Sequence, residues 1–393
     1  MSTRRLLWLL AVAACLTVAN LYYSQPLLAL IARDLHVTPR TAGLIPTTTQ
    51  LGYAMGMLLL VPLADSHERR RLIVIMTAAV AVALVGVAAA PGLRTLLVAS
   101  FVLGATTIVP QLVVPFAAAC VADRERGRSV GLVMSGLLIG ILLSRTASGV
   151  VGAHLGWRAT YFGAAALMLL LAGVLRATLP AQAPPTRIPW RTLLATLPRL
   201  WRDQPLLRRH ALLGALTFGA FSIFWTTLAF HLAAPPLDYG SDVAGLFGVV
   251  GVAGAVAAPI AGRLADRYGS DVVNLGATLA VLASFALLAR FGHTLVGLGA
   301  GVIVLDFGAQ ANHISNQTRV LGLSVAERNR MNTVYMVIYF AGGALGSSVG
   351  AWAWHAGGWR GVCAAGALFA ALAAVVWATV SRRAAVQARP GRS

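Results

Sequence analysis

Asp306, Gln310, His313 and Gln317 follow one another at spacings of 4, 3 and 4, so on a helix they stand on one face. The chemistry open to such a stripe is hydrogen-bond recognition of a polar group and, at Asp306, reversible uptake of a proton. Asp306 is the only acid near the middle of an apolar run, and Arg145 is the only cation inside one. An ionisable side chain in lipid is expensive and faces protein or water. The stripe therefore reads in two ways: lining of a polar cavity, which we favour, or hydrogen bonding between helices. Asn312 and Asn316 flank it. At a rise of about 1.5 Å per residue, Arg145 lies ~26 Å along its helix from residue 128, and Asp306 ~20 Å from residue 319. Those depths allow a charge pair, either a fixed bridge or a gate.

Other polar and aromatic groups sit in apolar runs. Thr17, Asn20, Tyr23 and Ser24 occupy the first, and Thr107 and Gln111 the fourth, beside Pro110 and Pro115. Phe218, Phe221, Phe224, Trp225 and His231 occupy the seventh, and Asn332, Tyr335 and Tyr339 the eleventh. The aromatics of the seventh run suit packing or an interface belt better than ligand contact, although Trp225 is retained as a candidate. His36, His67, His154 and His355 fall at run ends and carry no hypothesis. No H-E-x-x-H, G-x-x-x-x-G-K-[ST] or G-x-S-x-G pattern occurs, so neither metalloprotease, nucleotide-cradling nor nucleophile-elbow chemistry is indicated. An enzyme is not expected.

The elements that must position these groups follow from composition. Of 393 residues 58% are apolar and 11% charged, far below the ~25% charge of a soluble domain. Spanning helices of roughly 20 apolar residues account for this. Twelve runs qualify, near 6–31, 41–64, 72–91, 94–121, 129–153, 157–177, 210–233, 242–262, 272–290, 294–318, 331–355 and 358–380. Arg4 and Arg5 with Val12-Ala13-Ala14-Cys15 resemble a lipoprotein signal, but the first run continues to Ile31, longer than a signal core, and reads as a retained helix. Cys15, Cys120 and Cys363 give neither a disulfide framework nor a zinc spacing. The net charge is +19, all of its cations arginine. These lie in short clusters between apolar runs rather than on one basic domain, which argues against nucleic acid. With the N-terminus cytoplasmic, 24 arginines fall inside, six outside and Arg145 within a span. That bias places both termini in the cytoplasm.

One long connection, 178–209, carries six prolines and an apolar face of Trp190, Leu193, Leu194, Leu197, Leu200 and Trp201. It reads as a linker with an interfacial helix on the anionic leaflet. The expected organisation is a six-helix bundle at 1–177, this linker, a second six-helix bundle at 210–380, and a cytoplasmic tail at 381–393. The halves repeat: Leu63-Ala64-Asp65 returns as Leu264-Ala265-Asp266, and Gly156-Trp157-Arg158 as Gly358-Trp359-Arg360. Ala122-Asp123-Arg124-Glu125-Arg126 is echoed by Ala326-Glu327-Arg328-Asn329-Arg330. An even number of spans per half makes the repeat parallel. The fold class is an all-α membrane protein of twelve helices in two pseudo-repeat bundles.

Over about 6–380 the sequence resembles the major facilitator superfamily, whose signature after helix 2 is G-x-L-A-D-R-x-G-R-K. Val61-Pro62-Leu63-Ala64-Asp65-Ser66-His67-Glu68-Arg69-Arg70 keeps the Leu, Ala, Asp and paired cations without the glycines. Gly262-Arg263-Leu264-Ala265-Asp266-Arg267-Tyr268-Gly269 is nearer the pattern. Asn20-Leu21-Tyr22-Tyr23-Ser24-Gln25-Pro26 and Gly140-Ile141-Leu142-Leu143-Ser144-Arg145 are similar to a bacterial subgroup of efflux carriers. Two features depart from drug antiporters. Ser100 precedes Phe101-Val102-Leu103-Gly104 where those have Arg, and Gly136, Gly140, Gly149 and Gly152 are spread along helix 5 without the accompanying Pro. The resemblance implies alternating-access secondary transport of a small organic solute across a bacterial inner membrane, most simply proton-coupled efflux. The alternatives are symport or uniport of a metabolite, and, further off, a membrane sensor. It implies an inner gate of Asp65, Arg69, Arg70, Gly262, Asp266 and Arg267, and a pathway of Asn20, Tyr23, Gln111, Arg145, Trp225, Asp306 and Gln310. The expected partners are a small-molecule solute, a proton as coupling ion and the lipid bilayer. No nucleic acid, cofactor or metal is expected, and the chain is expected to be a monomer.

Overall fold

The computed structural model describes residues 2–181, 190–251, 260–265, 267–324 and 327–387. Among these every regular element is helical, as apolar spans require when no water is present to satisfy backbone polar groups. The order is α1 (Thr3–Ala19), α2 (Ser24–Asp34), α3 (Pro39–Ala42), α4 (Leu44–Leu59), α5 (Leu63–Ser66), α6 (Arg69–Ala88), α7 (Leu93–Thr106) and α8 (Val109–Ala119). Then come α9 (Arg126–Leu155), α10 (Trp157–Thr178), α11 (Trp190–Asp203), α12 (Pro205–Leu232), α13 (Ser241–Val250), α14 (Ser270–Phe291), α15 (Leu295–Gly322) and α16 (Arg328–Gln387). Nine helices among the described residues are long and apolar enough to cross a membrane. One of them covers two expected spans: within α16 the backbone leaves helical geometry at Gly357 and at Gly358, where φ is +55°. For the expected span 41–64 the helix α4 has 16 residues, and for 242–262 the described part is α13 with the residues beside it.

Three spans expected to be continuous are broken: 41–64 is interrupted at Gly43 and over residues 60–62, and two others break for identifiable local reasons. Between α1 and α2, Asn20 turns its Nδ2 back onto the carbonyls of Leu16 and Thr17, at 3.3 and 3.0 Å. The amides of Asn20, Leu21 and Tyr22 then bond three residues back, to Thr17, Val18 and Ala19. A short polar side chain here competes with the helix ladder. Between α7 and α8 the break at Thr107–Ile108 precedes Pro110, which has no N–H and restricts the residue before it.

The chain divides into two compact units that do not follow chain order. Unit 1 holds Met1–Thr196 and Trp225–Val250, and unit 2 holds Leu197–Phe224 and Gly251–Ser393. Within unit 1, Gly136 and Gly140 of α9 lie against the backbone of Ala11 and Cys15 in α1, so that a Cβ at either would collide with main chain. Within unit 2, Gly342 and Gly346 of α16 lie in the same way against Ala215 and Gly219 of α12. Small residues one turn apart let lipid-embedded helices approach closely, and the seam recurs in both halves of the sequence repeat.

The Gly-Trp-Arg repeat has a matching role in each unit. Gly156 takes φ +81° and ψ 158° and starts α10, and Trp157 Nε1 donates to Asp34 Oδ2 at 2.9 Å. Arg158 bonds the same carboxylate and lies over the Trp157 ring at 4.3 Å. In unit 2, Trp359 Nε1 donates to the Leu288 carbonyl at 3.0 Å. The backbone of Gly156 falls in a region open almost only to glycine, where a side chain costs roughly 1–3 kcal/mol. Gly156→Ala is therefore expected to lower the melting temperature of the purified protein clearly. Asp34→Asn, which breaks a pair whose side chains are 39% and 43% exposed, should cost under about 1 kcal/mol. Equal melting shifts in the two variants would contradict this ranking.

Candidate functional site

The deep cation of unit 1 is enclosed by aromatic rings. Arg145, about two thirds of the way along α9, is 1% exposed. Its Nε donates to Gln25 Oε1 at 2.7 Å and its Nη1 to the Ile141 carbonyl at 3.4 Å. The guanidinium carbon lies 3.9 Å from the centre of the Trp225 ring and 4.8 Å from that of Tyr22. A planar, weakly hydrated guanidinium suits such a box better than an ammonium would. Desolvation strengthens each cation–π contact to ~2 kcal/mol.

The same stretch of α9 carries a tight seam with α13. Thr146 Oγ1 donates to the Gly245 carbonyl at 2.9 Å, and Ser241 Oγ to the Gly149 carbonyl at 3.0 Å. A Cβ on Gly245 would stand 2.7 Å from the Arg145 carbonyl, and one on Gly248 would stand 2.8 Å from the Arg145 Cβ. Of the glycines spread along α9, Gly136 and Gly140 thus admit α1, and Gly149 admits α13.

Three other pathway candidates also belong to unit 1 and have partners of their own. Asn20 is buried, with Nδ2 3.5 Å from Met168 Sδ. Tyr23 packs edge-on against Tyr161, ring centres 6.4 Å apart. Gln111 Nε2 donates to the buried Tyr53 hydroxyl at 3.2 Å. The residues that meet Arg145, Tyr22 and Gln25, were passed over for their neighbours. Tyr22 stands in the break between α1 and α2 and Gln25 in the first turn of α2, so no helical period in the sequence links them.

In unit 2, α15 carries Asp306, 4% exposed, and Gln310, half-buried. Two other stripe members bond across to α16: His313 Nδ1 lies 3.0 Å from the Tyr335 hydroxyl, and Gln317 Nε2 donates to Asn332 Oδ1 at 3.1 Å. Tyr339 continues this surface, 4.6 Å from the His313 ring and stacked on Phe218 at 4.2 Å. The flanking Asn312 and Asn316 are fully buried and bond to Asn274 of α14 and His210 of α12. Sequence reading missed this network because Asn274 and His210 stand near the ends of apolar runs with nothing to link them.

Of the gate residues, Arg70 Nη2 donates to the Arg176 carbonyl near the end of α10 at 2.7 Å. Arg69 and Gly262 are half-buried, and the Arg267 guanidinium lies over its neighbour Tyr268 at 5.1 Å. Asp266 and the side chain of Asp65 lie outside the described residues.

A polytopic helical protein with broken spans, glycine-seamed helix pairs and ionisable groups deep in both units has the makings of a membrane carrier. The sequence profile of the Major Facilitator Superfamily matches residues 10–324, and the chain belongs to that family of membrane transporters. It is 44% identical over 372 residues to the uncharacterised transporter YgaY of Escherichia coli K12, covering 95% of this chain and 94% of that one. It is 32% identical over 305 residues to a chloramphenicol resistance protein of Streptomyces lividans, covering 72% and 73%. A crystal structure of the nucleoside transporter NupG superposes with a TM-score of 0.80 over 96% of this chain and 99% of that one, at 15% identity, a likeness of fold alone.

Proposed function

We propose that this transporter exports a small organic solute across the bacterial inner membrane by alternating access, driven by inward movement of protons. The observation that carries the reading is the burial of a cation in unit 1 and of an acid in unit 2, Arg145 at 1% and Asp306 at 4% exposure. Such groups are too costly in apolar spans to be retained without a task. Asp306 is the group that can bind and release a proton, and Gln310 beside it supplies hydrogen bonds to solute. On the first helix and its neighbours, Asn20, Tyr23 and Gln111 supply further polar and aromatic contacts, and Trp225 closes over Arg145. The resistance protein among the relatives supports export.

With both termini cytoplasmic, the α9–α13 seam lies toward the outer face, and the Leu-Ala-Asp motifs with Arg69, Arg70, Gly262 and Arg267 form the inner gate. A carboxylate beside an arginine cluster makes a latch that forms in one state and breaks in the other. Asp65→Asn and Asp266→Asn are each expected to slow transport several-fold while leaving the amount of protein in the membrane unchanged. Wild-type flux in both would remove these residues from the mechanism.

The test of the whole reading is a growth screen of an overexpressing strain against toxic compounds and metabolites, followed by flux of the hits in proteoliposomes with an imposed pH gradient. Export predicts raised tolerance and proton-driven efflux. Uptake of a hit with the proton would reverse the direction, and no flux of any hit would defeat the proposal.

A further inference from the structure

The buried polar network of unit 2 closes on itself. Asn274 Nδ2 donates to Asn316 Oδ1 at 2.5 Å, Asn316 Nδ2 to Asn312 Oδ1 at 2.7 Å, and Asn312 Nδ2 to Asn274 Oδ1 at 2.8 Å. Each amide donates to the next, so three asparagines from α14 and α15 form a ring. Two groups attach to it. Thr278 Oγ1 lies 3.1 Å from Asn312 Nδ2, and His210 Nδ1 from α12 lies 2.8 Å from Asn316 Oδ1. All five residues are buried.

The direction of the ring follows from one hydroxyl. Thr278 places its single proton on the backbone carbonyl of Asn274, 2.8 Å away, so toward Asn312 it can only accept. The Asn312 atom facing it is therefore the NH2, and its oxygen must receive from Asn316. The Asn316 oxygen in turn receives from Asn274, and it has no proton to offer His210. The imidazole must then carry hydrogen on Nδ1. With every amide assigned, reversing any one of them would set two like atoms against each other in a dry site, where an unmade bond is expensive.

We propose that this ring is a rotational lock on α15. At 3.6 residues per turn, Asn312 and Asn316 stand about a third of a turn from the stripe Asp306, Gln310, His313 and Gln317. Holding that face to α14 and to His210 in the unit 2 part of α12 fixes where the stripe points within unit 2. Asn274, Asn312, Asn316, Thr278 and His210 are positioning residues. The lock concerns orientation alone and holds whichever solute is carried.

The test reads helix rotation directly. In full-length protein with Cys15, Cys120 and Cys363 replaced by alanine, single cysteines are placed at Gln310, half-buried, and at Ala309, 5% exposed, and labelled with a polar maleimide in lipid nanodiscs. The expected pattern is labelling at 310 and protection at 309. Thr278→Ser, which keeps the hydroxyl, should preserve that contrast. Thr278→Val, which keeps the shape but not the acceptor, and Asn274→Leu should lose it through new labelling at 309. An unchanged contrast in both of the latter variants, eluting as monodisperse protein, would overturn the lock. The second readout needs no substitution in the protein observed. The nitrogen-15 spectrum of His210, assigned by its loss in His210→Phe, should report the Nδ1–H tautomer. The Nε2–H form, which free imidazole side chains prefer in water, would refute the ring's direction and the lock with it.

Discussion

Proteoliposomes carrying Asp306→Asn are expected to lose pH-gradient-driven accumulation of solute altogether while keeping solute exchange. Asparagine matches aspartate in size and most of its hydrogen bonding but cannot take up or release a proton. Asp306 is 4% exposed on α15, shielded from bulk water, so its protonation depends on its surroundings, which alternating access would change. If the proton moves through this carboxyl, the coupled process stops and the uncoupled one survives. Retained gradient-driven accumulation in Asp306→Asn would mean the proton travels by another route. Loss of exchange as well would assign Asp306 to solute binding instead of coupling.

The second large effect is expected at Arg145. Arg145→Ala takes from Gln25 a charge-assisted hydrogen bond, itself about 1.5–3 kcal/mol. It also takes the cation from between Trp225 and Tyr22, whose rings lie 3.9 and 4.8 Å from it. A destabilisation of roughly 3 kcal/mol follows, read as a fall in melting temperature, together with loss of transport. Arg145→Lys keeps the charge without the planar fork and should recover part of the stability. Trp225→Phe should cost less than Trp225→Leu, because a phenyl face still attracts the cation. Identical costs for Phe and Leu at 225 would show that Trp225 only fills space. Melting of Arg145→Ala at the wild-type temperature would show that the box carries no stability.

The apolar runs, the arginine distribution and the repeated Leu-Ala-Asp and Gly-Trp-Arg motifs were enough, by themselves, to determine an all-helical membrane protein with an internal repeat and the family it resembles. Those properties depend on the period and composition of long segments, and lipid leaves the backbone few alternatives. The same reading singled out Arg145, Asp306 and the α15 stripe, because ionisable and polar groups stand out against an apolar background, and kept Trp225 as a candidate on the family resemblance. What it could not supply was partnership. Asn20 breaks the first span by bonding Leu16 and Thr17, a competition between side chain and ladder that hydropathy does not register. Tyr22 and Gln25, rather than Tyr23 and Asn20, meet Arg145. Gly149 serves a seam with α13, far along the chain. Asn274, Asn312, Asn316 and His210, unremarkable or flanking as letters, close into one network only when three helices are brought together. Local pattern decides that a helix exists and which face is polar. Which residues meet is decided by helix rotation and close approach, set by side chains on other helices that no local period encodes.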